Sequence, residues 1–167
     1  MYSLLELLGA LDHERYRPIV LLRRRTAYDE LLQSSGVETH RLDDYVQMPE
    51  TDVATRGSVK GRRARVAAIG TVVRQCWEAT PFFRWFLAKH KVALIHHNNS
   101  LSMDKVAVFS TAARGLPQVC HFRNFTHVGP GQRLLARRVA AFVYISEAVR
   151  THYEQQGLAS ARGHLIY

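Results

Sequence analysis

The sequence predicts an α/β fold: a Rossmann-like parallel sheet with helices on both faces. Two observations carry this. Short apolar runs of strand length alternate with segments whose apolar residues recur at every third or fourth position, and glycine or proline stands at most of the junctions. Strands separated by helices of about ten residues return in the same direction, which makes the sheet parallel and doubly wound.

The first element is a helix, because Leu4, Leu5, Leu7, Leu8 and Leu11 share one helical face before the polar run Asp12, His13, Glu14, Arg15 breaks it. Pro18 then opens an apolar strand over residues 19–22. Thr26 is placed to cap a second helix reaching about Ser35. Gly36 fits the left-handed position that ends it, and residues 37–42 alternate as a strand, completing a βαβ unit. Residues 43–61 are polar, contain Pro49 and Gly57 and keep no period, so they read as a loop longer than such folds usually carry, functional or disordered.

Val66, Ile69, Val73 and Cys76 or Trp77 recur at helical spacing, and Thr80-Pro81 reads as the cap and first residue of a separate helix running to Lys89. Residues 92–97 form a strand, 104–114 a helix closed by Gly115, and 118–122 a strand that follows Pro117. Residues 132–139 are helical and 141–145 extended. Ser146 caps a helix that stops before Gly157, and a last strand covers 164–166.

At 167 residues the chain suits one domain that buries about two-thirds of its unfolded surface. With 47% apolar and 22% charged residues it lies far from the composition of disorder. The best apolar runs, 106–113 and 139–145, fall short of the roughly 20 residues a spanning helix needs. The N-terminus lacks the features of a signal peptide, so a cytoplasmic location is expected. Cys76 and Cys120 lack a CxxC spacing and read as buried small hydrophobes in a reducing compartment.

Charge is concentrated. Lys and Arg number 23 against 14 Asp and Glu, a net charge of +9, and residues 56–91 hold nine basic residues against the single acid Glu78. Such a segment favours an anionic partner. The stretch 74–91 also contains Trp77, Phe82, Phe83, Trp85 and Phe86. That mixture suits either an interfacial helix on anionic lipid or a core helix with a solvated basic edge.

In parallel α/β sheets ligands bind beyond the carboxyl ends of the strands. Those ends here carry His96-His97-Asn98-Asn99, His121-Phe122-Arg123-Asn124 and Ser146-Glu147. His97 and His121 are candidate site residues, or strand-end histidines bonded to a loop carbonyl. His96 and His97 point to opposite faces of a regular strand, so they do not share a metal. Ser146 reads as a helix cap. Gly129-Pro130-Gly131 lacks the third glycine of a dinucleotide loop, and no P-loop, GxSxG or HExxH motif occurs.

The segments Leu4-Leu5-Glu6-Leu7-Leu8, Arg17-Pro18-Ile19-Val20 and Gly36-Val37-Glu38 occur in the order found at the start of a known family. They are followed by residues 93–99, 115–123 and 143–150. In this the chain resembles family 4-type glycosyltransferases of the GT-B fold (glycosyl transferase group 1), and the resemblance spans nearly the whole chain. It implies a metal-independent enzyme without a cofactor that transfers a sugar from a nucleotide-sugar to an acceptor hydroxyl with retention. By position it implies that His121 is the catalytic-cleft histidine, that Arg123 holds an anionic or hydroxylated group, and that His97 and Asn99 line the acceptor side.

Two departures bear on this. The family's first strand and glycine-rich loop would precede Met1, and its donor-binding domain would follow Tyr167. The chain is therefore expected to be the N-terminal, acceptor-side half, inactive without the domain that binds the nucleotide-sugar. A sugar or lipid-linked acceptor is the expected partner. An anionic membrane surface is a further one, docked through Arg62, Arg63, Arg65 and Trp85 so that the protein is peripheral on the inner face. The alternative class is a basic module without catalysis that binds nucleic acid or anionic surfaces; no nucleic-acid motif accompanies the charge, which makes nucleic acid the weaker partner.

Overall fold

The computed structural model describes residues 2–46, 62–98, 101, 105–112, 114–158 and 162–166. Through them run α1 (Tyr2–Ala10), β1 (Ile19–Leu22), α2 (Asp29–Ser34), β2 (Glu38–Arg41), a 3-10 turn (Leu42–Asp44), α3 (Arg62–Lys89), β3 (Ile95–His97), α4 (Lys105–Ala112), β4 (Gln118–Phe122), α5 (Pro130–Ala136), β5 (Ala141–Tyr144), α6 (Glu147–Gln155) and β6 (Gly163–Leu165). Every ladder among the described residues is parallel. The mixed α/β class expected from the alternation is the class observed. The strands lie in two sheets, however: β1-β2 and β3-β4-β5-β6. Alternation in sequence sets strand direction but is silent on which strands are neighbours. No helix among the described residues is long and apolar enough to cross a membrane.

The chain divides into two compact units, Met1–Ala54 and Thr55–Tyr167. In the first, Leu8, Leu32 and Val37 form a buried cluster with Leu4, Leu5, Leu11, Val20 and Leu22 against it. The leucines of α1 supply one side of that cluster, as their spacing requires. His13 Nε2 donates to the Leu8 carbonyl at 2.9 Å, satisfying an acceptor near the end of α1. Gly36 takes φ +72°, the left-handed conformation that closes α2.

Thr26 does not cap α2. Its backbone N–H and its Oγ1 both donate, at 2.9 Å each, to Oδ1 of Asp29, so the aspartate organises the turn before the helix. Arg41 Nε donates to the other oxygen, Oδ2, at 2.5 Å, tying the end of β2 to the start of α2. A carboxylate accepts more bonds than a threonine hydroxyl, and this one also balances a guanidinium. Of the long loop at 43–61, residues 43–44 belong to the 3-10 turn, and 47–61 lie outside the described residues.

In the second unit the basic segment forms one helix where two were expected. Pro81 lies inside α3. A proline there removes one backbone donor, and its ring crowds the carbonyl four residues earlier. Pro81 and Trp77 are both exposed, so the Trp77 carbonyl left without its helical donor lies on the solvent side. Thr80, read as a cap, instead donates through Oγ1 to the Cys76 carbonyl at 2.6 Å, a bond within the helix. The buried stripe of Cys76, Ala79, Phe83 and Phe86 runs straight through the proline, and α3 packs along α4, where Ser110 Oγ also donates to the Cys76 carbonyl at 3.2 Å. Tertiary packing therefore overrides a local break signal.

α3 ends in a tight turn in which Val92 N–H donates to the Leu87 carbonyl at 3.0 Å and Lys91 stands at φ +50°. The rest of the unit is held by a cluster of Leu101, Val108, Cys120, Phe122, Val139, Phe142, Tyr144, Val149 and Tyr153 between sheet and helices. Ser146 caps α6 as expected, its Oγ accepting from Val149 N–H at 3.3 Å.

Two outcomes follow from these turns. Glycine relieves the left-handed strain at Lys91, so Lys91→Gly raises the unfolding free energy by about 1 kcal/mol in urea denaturation; equal or lower stability contradicts the turn. Asp29 is held below the ordinary aspartate range, first by the Thr26 N–H and then by Arg41, against the opposing effect of burial. A lowered folded value means that its contribution is complete above the ordinary value of about 3.9 and is lost as pH falls through the folded value. Acid titration of stability is therefore steeper for the wild type than for Asp29→Asn, and matching curves would show that the carboxylate is not so held.

Candidate functional site

The candidate residues sit at the carboxyl ends of β3 and β4, and the ladder register decides which face each takes. His96 pairs with Val119 and His97 with Cys120, while His121 pairs with Val143 and Phe122 with Tyr144. Paired residues share a face and faces alternate along the strand. One face therefore collects His97, Gln118, Cys120, Phe122, Phe142 and Tyr144, all buried. The other carries His96, Val119, His121 and Val143.

On the core face, His97 is 4% exposed and its Nε2 donates to Gln118 Oε1 at 2.8 Å. A buried imidazole bonded to a buried amide joins the two strands at their ends. On the opposite face the rings of His96 and His121 lie 5.8 Å apart at 34°. Arg123, one residue past β4, brings Nη2 within 3.4 Å of His121 Nδ1. His121 is 7% exposed, and its Nε2 is buried with no hydrogen-bond partner among the described residues. Asn98 Oδ1 is likewise buried without a partner among them. Asn99 lies outside the described residues.

His121 is pushed down to about 4, by burial first and then by the charges of Arg123 and His96. Near neutrality its ring is uncharged, and the adjacent guanidinium makes the position favour an anionic or neutral oxygen over a metal cation. Among the candidate residues, then, the structure brings His121 and Arg123 together and turns His97 to the other side of the sheet. His96, in the same strand-end run as His97, is the residue that joins His121 on this face. The signal that finds it is the register: opposite Val119, it must share a face with His121 two residues on.

The loop that carries Arg123 is held from below by α6. Tyr153 Oη donates to the Asn124 carbonyl at 2.8 Å and accepts from Thr126 Oγ1 at 2.7 Å, and Gln156 Oε1 accepts from Val128 N–H at 2.7 Å. Phe125, left exposed by this arrangement, meets the His152 ring edge-on at 5.1 Å. Gly129-Pro130-Gly131 begins α5, and Gln132 Oε1 accepts from Gly129 N–H at 2.7 Å, so these residues serve a helix start.

α3 presents a second surface. Phe82, Phe83 and Phe86 are buried, whereas Trp77 is 82% and Trp85 46% exposed, with Val73 exposed on the same side. Lys89 Nζ lies 4.7 Å from the Trp85 ring centroid, a cation–π contact, and Arg74 and Arg84 are exposed nearby in sequence. Arg62, Arg63 and Arg65 fall in the first turns of the helix, and their side chains lie outside the described residues.

No protein-family model matches the chain, and no curated protein sequence does. The crystal structure of Anabaena Alr3699/HepE in complex with UDP and glucose superposes on it with a TM-score of 0.58 at 16% identity. The match covers 99% of this chain and 40% of that one, so the chain spans well under half the length of the solved structure. At this identity the likeness is one of fold: both are Rossmann-like parallel α/β structures.

The neutral buried imidazole has a measurable consequence. Because its folded value lies below the ordinary one of about 6.5, the unfolded chain binds the proton first, and stability falls as pH drops from about 6.5 towards 4, by on the order of 1.4 kcal/mol per unit inside that window. In urea denaturation across that range His121→Gln has a shallower slope than the wild type; identical slopes would place His121 in contact with water.

Proposed function

We propose that this chain is the acceptor-side half of a glycosyltransferase that moves a sugar from a nucleotide-sugar to an acceptor hydroxyl. The observation that carries the reading is the fold shared, over 99% of this chain, with a structure crystallised with UDP and glucose. The strand-end cluster of His121, Arg123 and His96 supports it, since parallel sheets of this kind bind ligands at that end. In the transfer, the anomeric carbon's bond to the nucleotide phosphate breaks, a bond to the acceptor oxygen forms, and the acceptor hydroxyl's proton passes to the departing phosphate oxygen. Retention of configuration and independence of metal follow from the family resemblance.

His121 is the catalytic residue of this half, and Arg123 binds a charged or hydroxylated part of the acceptor. By resemblance Asn99 belongs to the acceptor side, whereas His97, turned to the core face and bonded to Gln118, ties the two strand ends together and does not line it. The charge developing on the leaving phosphate needs preorganised donors, and these belong to the donor-binding half. The acceptor is a sugar or a lipid-linked sugar.

α3 motivates a companion proposal about location: the protein is cytoplasmic and peripheral, docked on the anionic inner face of a membrane. Trp77 and Trp85 supply amphipathic rings, and each engaged Arg or Lys contributes on the order of 1 kcal/mol. The competing class, a basic module without catalysis, draws on the same charge. Nucleic acid is its less favoured ligand, and the absence of a steep salt dependence in RNA or DNA binding would dismiss it.

With the chain joined to its donor-binding half, His121→Ala lowers kcat by on the order of 100-fold while the KM for the nucleotide-sugar stays within about threefold; an unchanged kcat removes His121 from the chemistry. In liposome co-sedimentation the wild type partitions to anionic over neutral vesicles. Glutamate at 62, 63 and 65 abolishes the preference, and Trp77→Ser with Trp85→Ser weakens the salt-resistant part. Equal partitioning of all samples would show the basic face to be merely solvated.

A further inference from the structure

We propose that Arg123 is a positioning residue that fixes the proton of His121 on Nε2, so that the imidazole meets a bound oxygen as a hydrogen-bond donor and not as a base. Its use in sugar transfer rests on the function proposed above; the proton's position does not.

The argument begins with what each group can do. A guanidinium has five N–H donors and no acceptor. Arg123 Nη2 lies 3.4 Å from Nδ1 of His121, so the only attractive arrangement leaves Nδ1 bare, its lone pair facing the cation. An N–H on Nδ1 would point its positive end at a positive charge. A neutral imidazole carries one ring proton, and with Nδ1 excluded that proton sits on Nε2.

Neutrality is supported separately: burial, Arg123 and His96 all act against the imidazolium. His96 beside it and His164, which pairs with Val143 from β6, are the other titratable rings on this face among the described residues, and the facing residues Val119 and Val143 carry no side-chain acceptor. Nε2–H is therefore a buried donor with no partner among the described residues. Leaving such a donor unpaired costs about 1–3 kcal/mol, a cost relieved when an oxygen acceptor from a bound molecule arrives. A ring held this way cannot take a proton at Nε2 from an attacking hydroxyl; it can hold the oxygen of a hydroxyl or phosphate in place. The loop anchored on α6 keeps Arg123 at its station.

Long-range proton–nitrogen correlation spectra of the ¹⁵N-labelled chain, recorded without substrate near pH 7, test this directly. The expected His121 pattern is a single neutral tautomer, Nε2 protonated and Nδ1 bare. In Arg123→Met the single tautomer gives way to a mixture, and the titration midpoint moves up towards the ordinary value of about 6.5. Arg123→Lys, which keeps the cation, retains both features in part. A protonated Nδ1 in the wild type, a charged ring at neutral pH, or an unaltered tautomer in Arg123→Met would overturn the assignment. The wild-type spectrum decides the tautomer even if a variant does not fold. Because no substrate is present, a failure of sugar transfer leaves this result standing, and the converse also holds.

Discussion

β4 lies hydrogen-bonded between β3 and β5, and the register it keeps on both sides is the constraint from which the rest of the second unit follows. Side chains alternate with a period of two, so a slip of one residue on either side would exchange the faces. Cys120 and Phe122 would leave the core, and His121 would enter it. Burial makes that slip costly: Cys120, Phe122, Phe142 and Tyr144 are all fully enclosed, and each large ring contributes on the order of 2–3 kcal/mol by leaving water. The hydrophobic face of the sheet thereby aims the polar face. His96 and His121 come together because the apolar residues between and beside them have nowhere else to go.

The same core explains how the loop after β4 keeps its shape. Tyr153 packs its ring against Phe122 at 3.9 Å between centroids, within the cluster, and sends its hydroxyl to the loop backbone. One side chain thus couples the packing of α6 to the position of residues 124–126. Tyr144 stacks on Phe122 on the same side, and burial pushes its hydroxyl up to about 12, so it stays neutral at any physiological pH. The core face beneath the candidate site is lined by aromatic rings, while on the opposite face a guanidinium and two imidazoles gather.

α3 shows the same division of labour along one helix. Its buried stripe continues past Pro81 because packing along α4 outweighs one missing backbone bond, and its opposite side is left to two tryptophans and several basic residues. The charge excess between residues 56 and 91 is thus displayed in part on a surface whose apolar component is also exposed.

The parallel α/β class, the strands at 19–22 and 118–122, the turns at Gly36 and Gly115 and the Ser146 cap were all legible from the chain itself. Each depends on interactions between residues close in sequence, or on a periodicity those residues carry. Long-range pairing left no such mark. Nothing in the alternation of elements told that the strands form two sheets. Thr80-Pro81 read as a boundary because the packing that carries the helix through it comes from α4. Thr26 read as a cap because Arg41, which balances Asp29, arrives from another strand. At the candidate site the residue types and their strand-end location were readable, as was the opposition of His96 and His97. Which of the two joins His121 was not, because that depends on the register of β3 against β4. Residue spacing determines local conformation through short-range sterics and periodicity; the pairing of distant strands, and with it the sharing of faces and the shift of a histidine's proton affinity, was decided only when the chain closed on itself.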